Sequence, residues 1–141
     1  IQESGQLKFF NVNSESSGVS EEHSEITALT THDSRLISNL SFYSVSGHTD
    51  AMMLPKISYK GKTIVYMADL LPSAAHIPLP YVMAYDMFPL TTLNEKKLFL
   101  NEAEQNNYIL FFEHDRAIEC CNLQMTEKGV RMNETFKLSD I

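Results

Sequence analysis

The stretch Val45-Ser46-Gly47-His48-Thr49-Asp50-Ala51-Met52-Met53 sets a histidine in a glycine-led turn between two runs of strand-forming residues. Two other stretches have the same grammar. Tyr66-Met67-Ala68-Asp69-Leu70-Leu71-Pro72 and Ile109-Leu110-Phe111-Phe112-Glu113-His114-Asp115 each close an apolar run with a side chain able to bind a metal. Histidine, aspartate and histidine at successive strand ends suit zinc and its neighbours. Together they point to a hydrolytic metal site, of which these residues carry only part.

Working outward, Ile26–Thr30, Leu36-Ile37 and Leu40–Val45 alternate β-branched or aromatic residues with polar ones and read as short strands. Gly47 ends the last of them, lets the chain turn sharply and leaves the His48 imidazole projecting from the sheet edge, with Thr49 free to fix a neighbouring loop. Met53–Ser58 and Lys62–Met67 form a hairpin, turned at Lys60-Gly61-Lys62 with a positive φ at Gly61. The second strand is nearly all apolar, the mark of burial on both faces, and it delivers Asp69 to its end. A carboxylate there needs a compensating partner. It either binds a metal with His48 and His114 or caps the turn that leads to Pro72 and Ser73.

Residues 70–89 hold four of the 5 prolines in a long apolar loop, the kind that serves as a lid or pocket wall. Tyr81, Met83, Tyr85, Met87 and Phe88 would line a substrate pocket or cover the core, and His76 would stand in the pocket wall, so Tyr81, Tyr85 and His76 are the candidate substrate-binding residues. Thr91 or Thr92 is expected to cap a helix running to about Asn106, with Leu93, Lys97, Leu98, Leu100 and Ala103 as its apolar stripe. Tyr108–Phe112 returns as a buried strand in a βαβ-like unit. Ala117–Leu123 and Val130–Leu138, joined at Glu127-Lys128-Gly129, read as a terminal hairpin. One helix among mainly antiparallel strands makes an α+β chain.

The composition bounds the function. With 141 residues, 43% hydrophobic and 10% aromatic, the chain can bury a core as a single domain. A net charge of −7 without a Lys/Arg cluster argues against nucleic acid, and no apolar run approaches the roughly 20 residues of a membrane helix. A small neutral or amphiphilic substrate remains. Residues 13–24, rich in Ser, Asn, Gly and Glu, are expected to be a mobile loop in which His23, like His32 beyond it, is merely solvated. Cys120 and Cys121, as neighbours, face opposite sides of a strand without bonding. One buried and one partly exposed thiol would suit a reducing, cytoplasmic compartment.

The Gly-His-Thr of residues 47–49, the Ala-Asp of 68–69 and the His of Glu113-His114-Asp115 resemble, in type, order and placement, the later motifs of the metallo-β-lactamase superfamily. The proline-rich loop and the Lys/Glu-rich helix resemble its lactonase and methyl parathion hydrolase group. The resemblance implies the C-terminal half of a four-layer αββα sandwich. It makes His48 a ligand of a first zinc, His114 a ligand of a second, and Asp69 the catalytic bridge between two zinc ions. The implied chemistry is attack of metal-bound hydroxide on a small-molecule ester, lactone, thioester or phosphotriester.

The superfamily's first motif, His-x-His-x-Asp-His, has no counterpart here, and His48 is followed by Thr-Asp-Ala-Met instead of Thr-Pro-Gly-His. The chain is therefore expected to be a partial domain, inactive alone, with the N-terminal half of its own domain as first partner. Its bare apolar surface would favour dimers or other homo-oligomers. A non-enzymatic binding or scaffold domain with a degenerate metal site is the alternative.

Overall fold

A computed structural model describes residues 28–29 and 39–141. The expected strand at 36–37, the loop at 13–24, His23 and His32 lie outside the described residues. Seven strands form one sheet in sequence order: β1 (Ala28–Leu29), β2 (Leu40–Val45), β3 (Met52–Tyr59), β4 (Lys62–Tyr66), β5 (Ile109–Phe111), β6 (Cys120–Thr126) and β7 (Gly129–Phe136). Every neighbouring pair is antiparallel except β4 and β5, which run parallel across the crossover that contains the helix α1 (Pro89–Gln105). The mostly antiparallel α+β reading of the sequence is what the chain adopts.

Local chemistry explains the turns. Lys60 (φ 49°) and Gly61 (φ 75°) are both left-handed between β3 and β4, as a two-residue hairpin of the primed type requires. Pro55 is tolerated inside the sheet because β4 pairs with β3 only from Lys56 onward, so the missing N–H interrupts no bond on that side. The last hairpin turns on two residues, Glu127-Lys128, one fewer than expected, because Gly129 already pairs with Thr126. Residues 117–119 lie outside its strand, because the Asp115 carboxylate takes the N–H groups of Ala117 and Ile118, each at 3.0 Å.

The helix departs from the sequence reading in two ways. It starts at Pro89, with no side-chain cap; the fixed φ of proline opens the first turn. Its buried stripe is Thr92, Lys96, Phe99, Leu100 and Ala103, whereas Leu98 is exposed. The period is helical, but two of its places go to a threonine and a lysine that a hydrophobic pattern assigns to water. Phe99 meets Tyr43 edge-on at 5.6 Å, and burial of such a ring is worth about 1.5–3 kcal/mol.

The main core lies between α1 and one face of the sheet, and includes Tyr43, Val45, Leu54, Val65, Met67, Leu71 and Leu110. The other face carries a second cluster of Ile64, Ile109 and Cys120, with Phe111, Phe136 and Ile141 against it. β4 is thus apolar on both faces, as expected: Val65 belongs to one cluster and Ile64 to the other. Cys120 and Cys121 divide in the same way and are unbonded, but both are fully buried, which corrects the expectation of one exposed thiol. Burial pushes the Cys120 thiol up to about 11, helped by Glu119, and the Cys121 thiol up to about 12, helped by Cys120 and Asp115. No helix among the described residues is long and apolar enough to cross a membrane.

Candidate functional site

His48, Asp69 and His114 come from three separate turns and meet at one end of the sheet. His48 follows β2, in a turn docked onto the start of α1. The amides of Ser46 and Gly47 donate to the Glu95 carboxylate at 2.7 and 3.0 Å, and Phe88 N–H donates to Gly47 O at 2.8 Å. Gly47 is required by space more than by φ: a Cβ there would stand 2.3 Å from Thr92 N and from its Oγ1. The close approach, which the sequence reading took for a sharp turn, brings His48 against the helix.

Asp69 follows β4 by way of Ala68, whose φ of 41° is left-handed. For a non-glycine residue this costs roughly 1–3 kcal/mol and recurs where function fixes the backbone. His114 follows β5. Its N–H donates to Pro72 O at 3.3 Å, and the next residue, Asp115, accepts Ala74 N–H at 3.0 Å, so the loops behind Asp69 and His114 are tied together. Partial burial pushes the Asp115 carboxyl up, but the Ala117, Ile118 and Ala74 donors outweigh it and hold it below the usual range.

The two Asp69 oxygens are divided between the histidines. Oδ2 lies 3.4 Å from His48 Nε2 and Oδ1 lies 3.5 Å from His114 Nε2. Both gaps exceed the ordinary N–H···O range of about 2.7–3.2 Å. They match the spacing of about 3.3–3.4 Å between two donors on a tetrahedral zinc with bonds near 2.0–2.1 Å. Donor type and spacing therefore fit a divalent cation. Among the described residues no group of three or more His, Cys, Asp or Glu closes around a single ion, so Asp69 pairs with each histidine separately.

The candidate substrate residues separate. His76 and Tyr85 line an open groove of about 430 Å³ together with His114, Pro72, Ser73 and Met83. The Tyr85 ring also stands edge-on to His48 at 5.9 Å. Ser73 Oγ is 2.9 Å from His76 Nδ1, and burial lowers the His76 pKa, with the Lys96 charge adding to it. Tyr81 is 60% exposed and is not part of the groove lining. Its backbone matters instead: Lys96 Nζ, fully buried, donates to the carbonyls of Pro78, Leu79 and Tyr81 at 2.9, 3.2 and 2.6 Å. Sequence reasoning missed Glu95, Lys96 and Asp86. Glu95 and Lys96 stand in polar-looking helix positions that carry no periodic signal; Asp86 is a lone acid in an apolar loop, and that isolation was the available signal.

No family model and no curated protein matches the chain. Solved structures do. The chain is similar to a probable metal-dependent hydrolase from Staphylococcus aureus (22% identity, TM-score 0.60, 72% of this chain and 38% of the other). It is similar to AidC, a dizinc quorum-quenching lactonase in complex with a product (22%, TM-score 0.64, 76% and 37%). A third is the hydrolase AbOPH of the beta-lactamase superfamily (18%, TM-score 0.57, 68% and 35%). The chain spans little more than a third of the length of each. Its fold is a partial α+β metallo-β-lactamase fold.

Proposed function

We propose that the chain belongs to a metal-dependent hydrolase and supplies the His48, Asp69 and His114 part of a dinuclear zinc site. The observation that carries this reading is the division of the Asp69 oxygens between two histidine Nε2 atoms at 3.4 and 3.5 Å. Bound there, zinc lowers the pKa of water and acts as a Lewis acid toward a carbonyl or phosphoryl oxygen. The chain's own residues bind and orient. His48 and His114 each face one oxygen of the Asp69 carboxylate, while Tyr85 and His76 furnish the groove in which the substrate lies. Tyr85 gives that groove an apolar wall beside His48, which suits a small neutral lactone, ester, thioester or phosphotriester. The remaining donors come from the preceding half of the domain, which also covers the second face of the sheet.

The test is elemental analysis and hydrolysis of a lactone and a phosphotriester, on these 141 residues and on a protein that also carries an N-terminal half-domain. The reading expects about two zinc ions retained through dialysis and turnover in the longer protein, and in the shorter one no turnover and zinc bound too weakly to survive dialysis. Absence of metal and turnover from both would leave a binding module with a degenerate site. That second reading is favoured by the lack, among the described residues, of a group of three or more donors closing on one ion.

A further inference from the structure

The loop before α1 contains an acid that the site needs and that the metal reading leaves without a role. Asp86 has 1% side-chain exposure, and its Oδ1 lies 2.9 Å from His48 Nδ1. Its Oδ2 is buried and meets no hydrogen-bond partner among the described residues. A carboxylate so placed is costly unless a strong donor offsets its lost hydration. The donor at its Oδ1 is the His48 ring. The next residue secures the same histidine by another route, Met87 N–H donating to His48 O at 3.1 Å.

We infer that Asp86 is a positioning residue for His48: Oδ1 holds the proton on Nδ1, fixes the ring plane and leaves the Nε2 lone pair facing Asp69. Distances decide between the two acids that flank the ring. Asp86, at 2.9 Å, is within charge-assisted hydrogen-bond range, and Asp69, at 3.4 Å, is outside it. The ring proton therefore belongs to the Asp86 side. Histidine in water favours the opposite tautomer, with its proton on Nε2, so the assignment predicts a reversal. Which ring nitrogen carries the proton is set by the partner of the other, and such partners tune a histidine as a metal donor.

The test uses the 141-residue chain, first without metal, with long-range nitrogen–proton NMR of His48 at a pH where the ring is neutral. The native chain should carry its proton on Nδ1. Asp86→Ala should revert to Nε2–H, and Asp86→Asn, near-isosteric and still offering a carbonyl oxygen, should fall between. An Nε2–H form in the native chain, or one tautomer in all three proteins, overturns the assignment. A variant that merely loosened the loop would not give this graded switch.

The second measurement is zinc affinity by chelator competition, which rests on the proposed function. Asp86→Ala should weaken zinc binding about 10–100-fold, with Asp86→Asn recovering part of the loss. Equal zinc affinity in the three proteins contradicts the role. A switched tautomer with no zinc bound by any protein sinks the metal reading and leaves Asp86 in place; zinc bound with an unswitched tautomer does the reverse.

Discussion

Lys96 is the residue that most clearly trades stability for position. Burial is the main cause that lowers its pKa from 10.5 to about 8, against the opposing charge of Asp86. Between those values the unfolded chain holds a proton that the folded one has released, so the lysine's contribution to stability rises with pH across that window. Below about 8 both states are protonated and the gain is gone. Lys96→Met, which strips a donor from three carbonyls, should be less stable throughout, by roughly 1–3 kcal/mol or more. Its deficit in urea should widen as pH rises from about 8 toward 10.5; a deficit independent of pH contradicts the account. Nothing in the sequence announced this lysine. Between Glu95 and Lys97 it reads as part of a wet face, and only the folded loop of carbonyls above it reveals the reason for its burial.

At the scale of elements, the site rests on the contact between the His48 turn and the first turns of α1. Gly47→Ala places a methyl group against Thr92 backbone, which cannot yield without moving the helix. Overpacking of this kind costs about 1–3 kcal/mol, and thermal unfolding should show it. The separation of His48 from Asp69 should grow as well, visible as lost cation affinity at temperatures where the variant is still folded. The strands were legible because buried runs such as Ile64-Val65 and Ile109-Leu110 state their own burial, and the Lys60-Gly61 turn its own geometry. The helix boundary and stripe were less so. Its start is set by Pro89 and by tertiary bonds to Gly47, and its buried face includes polar residues whose partners lie in a distant loop.

For the whole molecule, the unequal faces of the sheet carry the consequence. α1 closes the first face. On the second, Ile57 stands opposite Ile64 and Leu40, and Ile64 opposite Ile109, so register alone lines up an apolar band across β2 to β5. Ile57 is 42% and Tyr59 47% exposed at its edge. Phe136 and Ile141 pack against Ile64 and Ile109, and the bare end of the band at Ile57 and Tyr59 should draw the chain into concentration-dependent association. Sedimentation should detect it, and Ile57→Glu should reduce it; a monomer at every concentration contradicts the idea. The three motifs could be read together from the sequence because His48, Asp69 and His114 each follow a strand end, whereas Asp86 lies in an irregular loop whose course no periodicity encodes.

In the proposed site Asp69 shares a cation with each of the two histidines. A cobalt(II) titration of the chain, with the ring signals of His48 and His114 followed together by NMR, probes this arrangement. Both rings should respond to the cation, and Asp69→Ala should abolish their joint response. Two histidines that stay silent, or that answer just as well without Asp69, would contradict it.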